Sequence, residues 1–150
     1  MSSDLVNFVS AQLEEDERIA RGTRQPGTAW RNFDMDGELR DDANAGTVAY
    51  VPLEETRAHI AAWDPARVLM EIEADRELLA EYDRLIRAHE AHRRESSRLT
   101  EAGDDDPIRR AALRREADYL PAMLHVLERW AKRKAAVYAD RPGFREEWRP

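Results

Sequence analysis

Cysteine is missing from this 150-residue chain. Its absence excludes disulfides and thiolate metal sites. Lysine is nearly missing as well: of 24 basic residues only Lys132 and Lys134 are lysine, and the others are arginine. With abundant Ala, Asp and Glu, that bias reads as the mark of a GC-rich genome and carries no information about activity. Aromatic residues are scarce, at 7%, while charged residues reach 37%. Dense charge on few rings is the composition of long solvated helices rather than of a thick globule. No apolar run approaches the roughly 20 residues of a membrane-spanning helix. The opening MSSDLVNFVSAQLEEDE lacks a basic start and turns acidic early, unlike a signal peptide. The expected location is therefore the cytoplasm. One domain with a real core fits this length.

The charge that is present is unevenly spread. The net charge is −7. Residues 1–107 hold 13 basic and 25 acidic side chains, and residues 108–150 hold 11 basic and 6 acidic. The plainer reading is that the basic end packs against the acidic beginning, within one chain or between two, since mixed-sign surfaces are ordinary for helical proteins. The sharper one is that the basic end meets nucleic acid or another acidic partner.

Periodicity and punctuation divide the chain into elements. Ser3 can cap a first helix over about 4–21, with Leu5, Val6, Phe8, Val9, Leu13, Ile19 and Ala20 on one face and Gly22 as a left-handed stop. Pro26-Gly27 then breaks helicity. AWRNF and TVAYV have strand composition and flank a polar loop with an Asp-Gly turn, so a small β-hairpin or meander is expected over about 29–52, anchored by Trp30 and Phe33. A short helix follows over about 53–63. Asp64 and Pro65 are a cap and a first-turn proline, and they open a long helix over about 65–102 that Gly103 closes. Asp106 and Pro107 open the last helix, over about 107–139, with a tail over 140–150. Pro121 inside that helix reads as a kink rather than a stop. The short connection makes the two long helices antiparallel neighbours. The expected fold is mainly α, a single domain built on a long antiparallel helical hairpin, with an N-terminal helix and a small β-hairpin.

Both long helices carry two apolar stripes. On the first, Val68, Ile72, Leu79, Tyr82 and Ile86 form one stripe and Leu69, Leu78 and Leu85 another. On the last, Leu113, Ala117, Leu120, Leu124, Leu127, Ala131 and Tyr138 form one. Ile108, Ala112, Tyr119, Met123, Val126, Trp130 and Val137 form its second. Two stripes predict packing on two sides, more than one partner helix covers.

The blocks LVNFVSAQLEEDERIARG (5–22), HIAAWDPARVLMEIEADRELLAEY (59–82) and VYADRPGFREEWRP (137–150) resemble the three conserved blocks of an uncharacterised family of small actinobacterial and actinophage proteins. That family is a domain of unknown function, so the resemblance implies origin and the integrity of the domain, not an activity. Many of its members carry a cysteine-rich stretch before the closing block, and often a His where Arg141 stands. This chain has neither, and no metal role carries over.

Candidate chemistry is sparse. His89 and His92 stand three apart on one helical face and could hold a transition metal, but no third ligand is indicated and both extend the apolar stripes. His59 and Asp64 could form a general-base pair, yet no nucleophile accompanies them and Asp64 is explained as a cap. The acidic groups at 14–17 and 104–106, and Glu71, Glu73, Asp75 and Glu77, read as solvated faces rather than as mimics of phosphates. Asp36 and Asp42 lack the alternation of a calcium loop. Arg109, Arg110, Arg114, Lys132, Arg133 and Lys134, with Arg115 and Arg129, are the possible nucleic-acid contacts, unsupported by any recognition motif. Phe144 and Trp148 could be a docking peptide, but fastening the C-terminus to the core is the better account of two such aromatics.

The expectation is therefore a non-enzymatic protein–protein interaction module without cofactor, either a homodimer or bound to another protein. Its possible partner-binding residues are Phe144, Trp148, Tyr82, Ile86 and Trp130. A nucleic-acid-associated regulator is the alternative, and a metal-dependent enzyme comes third.

Overall fold

The structure is a computed structural model that describes residues 2–23, 29–33, 37–43, 46–103 and 106–150. The expected Pro26-Gly27 turn, Asp36 and the acidic pair 104–105 lie outside the described residues. The elements are α1 (Ser2–Arg21), β1 (Trp30–Phe33), β2 (Glu38–Asp41), β3 (Thr47–Tyr50), α2 (Glu54–Ala62), α3 (Pro65–Ala102) and α4 (Pro107–Ala136), with a short 3-10 turn at Glu146–Trp148. The fold is mainly α. It divides into two compact units, residues 1–12 with 76–150 and residues 13–75, so that α1 and α3 each contribute to both.

In the first unit α3 and α4 form the antiparallel hairpin. His92 reaches Glu116 and Glu95 reaches Arg109, so positions advance along one helix as they recede along the other. The hinge follows from local chemistry. Gly103 takes a φ of 63°, a left-handed value at which glycine ends a helix without penalty. Asp106 accepts hydrogen bonds from the backbone N–H groups of Ile108 and Arg109, and Pro107 supplies the first helical position. The helix continues through Pro121. Leu79, Tyr82, Leu85 and Ile86 of α3 are buried, as are Leu120, Leu127, Ala131 and Ala135 of α4 and Leu5, Phe8 and Val9 of α1.

In the second unit the strands form an antiparallel meander in the order β1-β2-β3. Trp30 pairs with Asp41 and Phe33 with Glu38, and Leu39 of β2 pairs with Ala49 of β3. The middle strand, ELRD, differs from the polar loop that composition suggests. Its burial alternates, with Leu39 and Asp41 inside, and one apolar residue among three charged ones is too weak a strand signal to read. Leu39, rather than Trp30 or Phe33, is the fully buried apolar residue among the described strands. Phe33 stays exposed, with the Arg40 guanidinium 4.2 Å above its ring. Gly37 turns the chain between β1 and β2 with a φ of 69°, where an added Cβ would meet the Tyr50 ring at 2.9 Å.

Arg57 of α2 is buried and holds the sheet to its helix. Its Nε donates to Asn32 Oδ1 and its Nη1 donates to the Val51 carbonyl at 2.7 Å. Asp64 does two jobs at the start of α3. One carboxylate oxygen accepts from Arg67 N at 2.8 Å, the expected cap, and the other accepts from Trp30 N at 3.1 Å, which ties β1 to the helix start. Gly22 differs from its expected role: it is not among the glycines with positive φ, and its N–H bonds back to the Arg18 and Ile19 carbonyls. Ser3 lies inside α1, which already begins at Ser2. Among the described residues no helix is long and apolar enough to cross a membrane.

Candidate interaction surface

Helix α4 has two apolar faces with opposite fates. Leu120, Leu127, Ala131 and Ala135, then Tyr138 just beyond the helix, are buried. The other stripe lies open. Ile108 is 82% exposed, Val126 60% and Val137 68%, and Tyr119 and Met123 are exposed with them. Ala112 is exposed and Trp130 is half-buried. The spacing 119, 123, 126, 130, 137 keeps these side chains on one line of a helix with about 3.6 residues per turn, and from 108 to 137 the line runs about 44 Å. Scattered exposed apolar residues are normal, whereas a row of this length, interrupted only by charged residues at 115–116 and 133–134, is a candidate contact surface.

The row widens near the hinge. A groove of about 410 Å³ between α3 and α4 is lined by Ala88 and Ala91 on one helix and by Ala112, Leu113, Tyr119 and Leu120 on the other, with His92, Glu95, Arg109 and Glu116 at its polar edge. On the other side of the hairpin, Ser96, Thr100, Arg110 and Arg114 line a more polar groove of about 330 Å³. Glu95 sits where the helices meet. A hydrogen bond from Arg98 pulls its carboxyl below the usual range, desolvation opposes it, and the charges of Arg98 and Arg109 add to the pull.

The tail folds back against its own unit. Trp148 is 3% exposed, and its ring centroid stands 5.0 Å from that of Phe8 and 6.0 Å from that of Phe144. Arg145 pairs with Asp4 at 2.9 Å, and Arg141 donates to Gln12 Oε1 at 3.0 Å. Gly143, at φ 91°, lets the chain turn beside Phe8. Tyr82 and Ile86 are likewise interior. Of the five residues expected to bind a partner, only Trp130 and Phe144 keep partial access, and the open surface is the rest of Trp130's own stripe. The sequence pattern shows that stripe plainly; what it lacks is any sign of which stripe is outward.

The basic residues separate into groups. Arg109 and Arg110 belong to the hinge end, Arg109 lying 3.8 Å from Glu95. Arg114 is exposed beside the polar groove. Lys132 pairs with Glu128 at 3.1 Å, and Lys134 lies over the Tyr138 ring. Arg129 and Arg133, with Lys132, Arg149 and Pro150, line a cationic hollow of about 460 Å³ along the flank of α4.

The histidines do not converge. His92 Nδ1 lies 3.2 Å from Glu116, and His89 Nδ1 is buried without a hydrogen-bond partner among the described residues. No group of three His, Cys, Asp or Glu among the described residues is placed to hold a metal. His59 stacks against Trp63, with centroids 6.4 Å apart, while both oxygens of Asp64 are taken up by backbone N–H groups. An apolar hollow of about 250 Å³ lies between Ile19, Ala20, Trp30, Trp63 and Val68 in the second unit.

No curated protein and no solved structure matches the chain. A family model described as a family of unknown function (DUF6221) matches residues 2–150, and the chain belongs to that family.

Proposed function

We propose that this member of a family of unknown function is a non-enzymatic protein–protein interaction module, which docks a partner along the outward stripe of α4. One observation carries the reading. Val126 and Leu127 are adjacent, yet Leu127 is 7% exposed and Val126 60%, and every other member of Val126's stripe except half-buried Trp130 is exposed too. Each aliphatic side chain of this kind gains about 1.5–3 kcal/mol when moved fully from water into an interface. A row of them supports stable association after the entropy of docking is met. A cysteine-free chain suits the reducing cytoplasm. The arginine bias suits the actinobacterial or actinophage source that the resembling blocks imply.

The test is the double variant Val126→Glu/Val137→Glu, compared with the natural chain for proteins retained from native extract. Loss of a retained protein, with unchanged helical circular dichroism and melting, is the expected outcome. Identical retention by both would sink the reading.

Nucleic-acid binding is the second reading, and the cationic hollow at Arg129, Lys132, Arg133 and Arg149 favours it. It predicts binding to duplex DNA or RNA that falls steeply with salt.

A further inference from the structure

Resting on the docking reading above, we infer that the occupant of the α4 stripe is an acidic amphipathic helix of another protein rather than a second copy of this chain. The argument is one of charge around the rim. At about 3.6 residues per turn, Arg115, Arg129 and Arg133 fall along one border of the row that Tyr119, Val126, Trp130 and Val137 define. All three arginines are exposed, and none makes a hydrogen bond or ion pair with the described residues. The cationic hollow continues this border, with Lys132 and Arg149 behind Arg129 and Arg133. Lys132 and Arg149 already have their carboxylates, Glu128 and Glu146. Arg129 and Arg133 do not.

A second copy fits this rim poorly. Two α4 helices paired antiparallel about a two-fold axis place the same border against itself, so Arg115 faces the neighbourhood of Arg129 and Arg133. Paired in parallel, Arg129 and Arg133 meet the opposite border at Lys134, and only Arg115 finds an acid there, Glu116. Either way Arg129 and Arg133 oppose other cations beside an apolar seam, where like charges are penalised. A nucleic acid satisfies the arginines and leaves Val126, Val137 and Ile108 in water. A helix with leucines along one face and glutamates beside them satisfies both, and a row of about 44 Å along one helix face suits helix-in-groove recognition.

Two synthetic 28-residue helices serve as probes, with the same leucine face and either glutamate or lysine at the flanking positions. Fluorescence anisotropy with the full chain at 50 mM salt is expected to show the glutamate helix bound about tenfold more tightly, the sum of several rim pairs. The difference should shrink at 500 mM salt. Arg129→Glu/Arg133→Glu should reverse the order, and Val126→Glu/Val137→Glu should abolish binding of both. Equal affinities for the two helices overturn the acidic partner while leaving docking on α4 intact. Binding of neither helix, unaffected by any variant, overturns the docking reading with it. A dimer in sedimentation that Val126→Glu dissolves makes the occupant a second copy. Displacement of the glutamate helix by an equimolar 20-base-pair duplex makes it a nucleic acid. Either of these last two results overturns the inference.

Discussion

The two apolar stripes of α4 share a helix and a spacing, and they differ in what lies beyond them. Leu120, Leu127 and Ala131 are sealed, while Ile108, Val126 and Val137 face solvent. Hydrophobic periodicity reports that a face is suited to leave water; it does not report which body removes it. The sealed stripe shares its unit with a three-ring cluster in which Phe144 and Trp148 of the C-terminal segment meet Phe8 of α1. No such cluster is found along the other stripe among the described residues.

The comparison can be broken most forcefully on its sealed side. Trp148→Ala removes a buried ring that contacts two others, and a loss of about 3–5 kcal/mol in unfolding free energy is expected by urea denaturation. Leu127→Ala should lose about 2–5 kcal/mol through the cavity it leaves. A change under about 0.5 kcal/mol in either variant, the size of an ordinary surface substitution, would mean that the stripe is not sealed.

Much of this architecture is legible in the sequence, because its boundaries rest on local chemistry. Asp64 with Pro65, Gly103, and Asp106 with Pro107 place both ends of α3 and the start of α4 where they stand in the structure. The end of α4 is less legible. Helical character continues as turns past Ala136, so the apolar residues Val137 and Tyr138 extend the pattern beyond the helix itself. Strand β2 is hidden because its buried Asp41 looks like a loop residue until its carboxylate is seen accepting the Ala43 N–H. Buried Arg57 is hidden for the same reason: its partners, Asn32 and the Val51 carbonyl, are brought to it by the fold. Tyr82 and Ile86 belong to a true stripe whose sealed side only packing reveals.

Smaller effects sharpen the contrast. Asp106→Ala removes the cap that accepts from Ile108 and Arg109, at an expected cost of about 1 kcal/mol, and frays the end of α4 from which Ile108 projects. Val126→Ala should change stability by less than about 0.5 kcal/mol, though it adjoins Leu127. Melting both variants beside Leu127→Ala ranks the three; a Val126→Ala loss equal to that of Leu127→Ala would place Val126 in the core.

The smallest expected effect lies at the hinge end, where α3 and α4 are joined by charge. The Glu95 carboxyl is held below its ordinary range, first by the hydrogen bond from Arg98 and then by the charges of Arg98 and Arg109. A depressed carboxyl stabilises the fold above its unfolded-state value, and that contribution disappears as pH falls through the lower folded value. The site is solvent-exposed, so the effect on stability is slight and the titration itself is the better observable. Following the Glu95 side-chain carbon by NMR, Arg98→Ala should move the midpoint up toward the ordinary carboxylate range. Arg109→Ala, which removes a partner 3.8 Å away on the other helix, should move it less. The reverse order would mean that the inter-helix pair, not the pair within α3, governs this carboxyl, and that the hinge end is clamped more firmly than its geometry indicates.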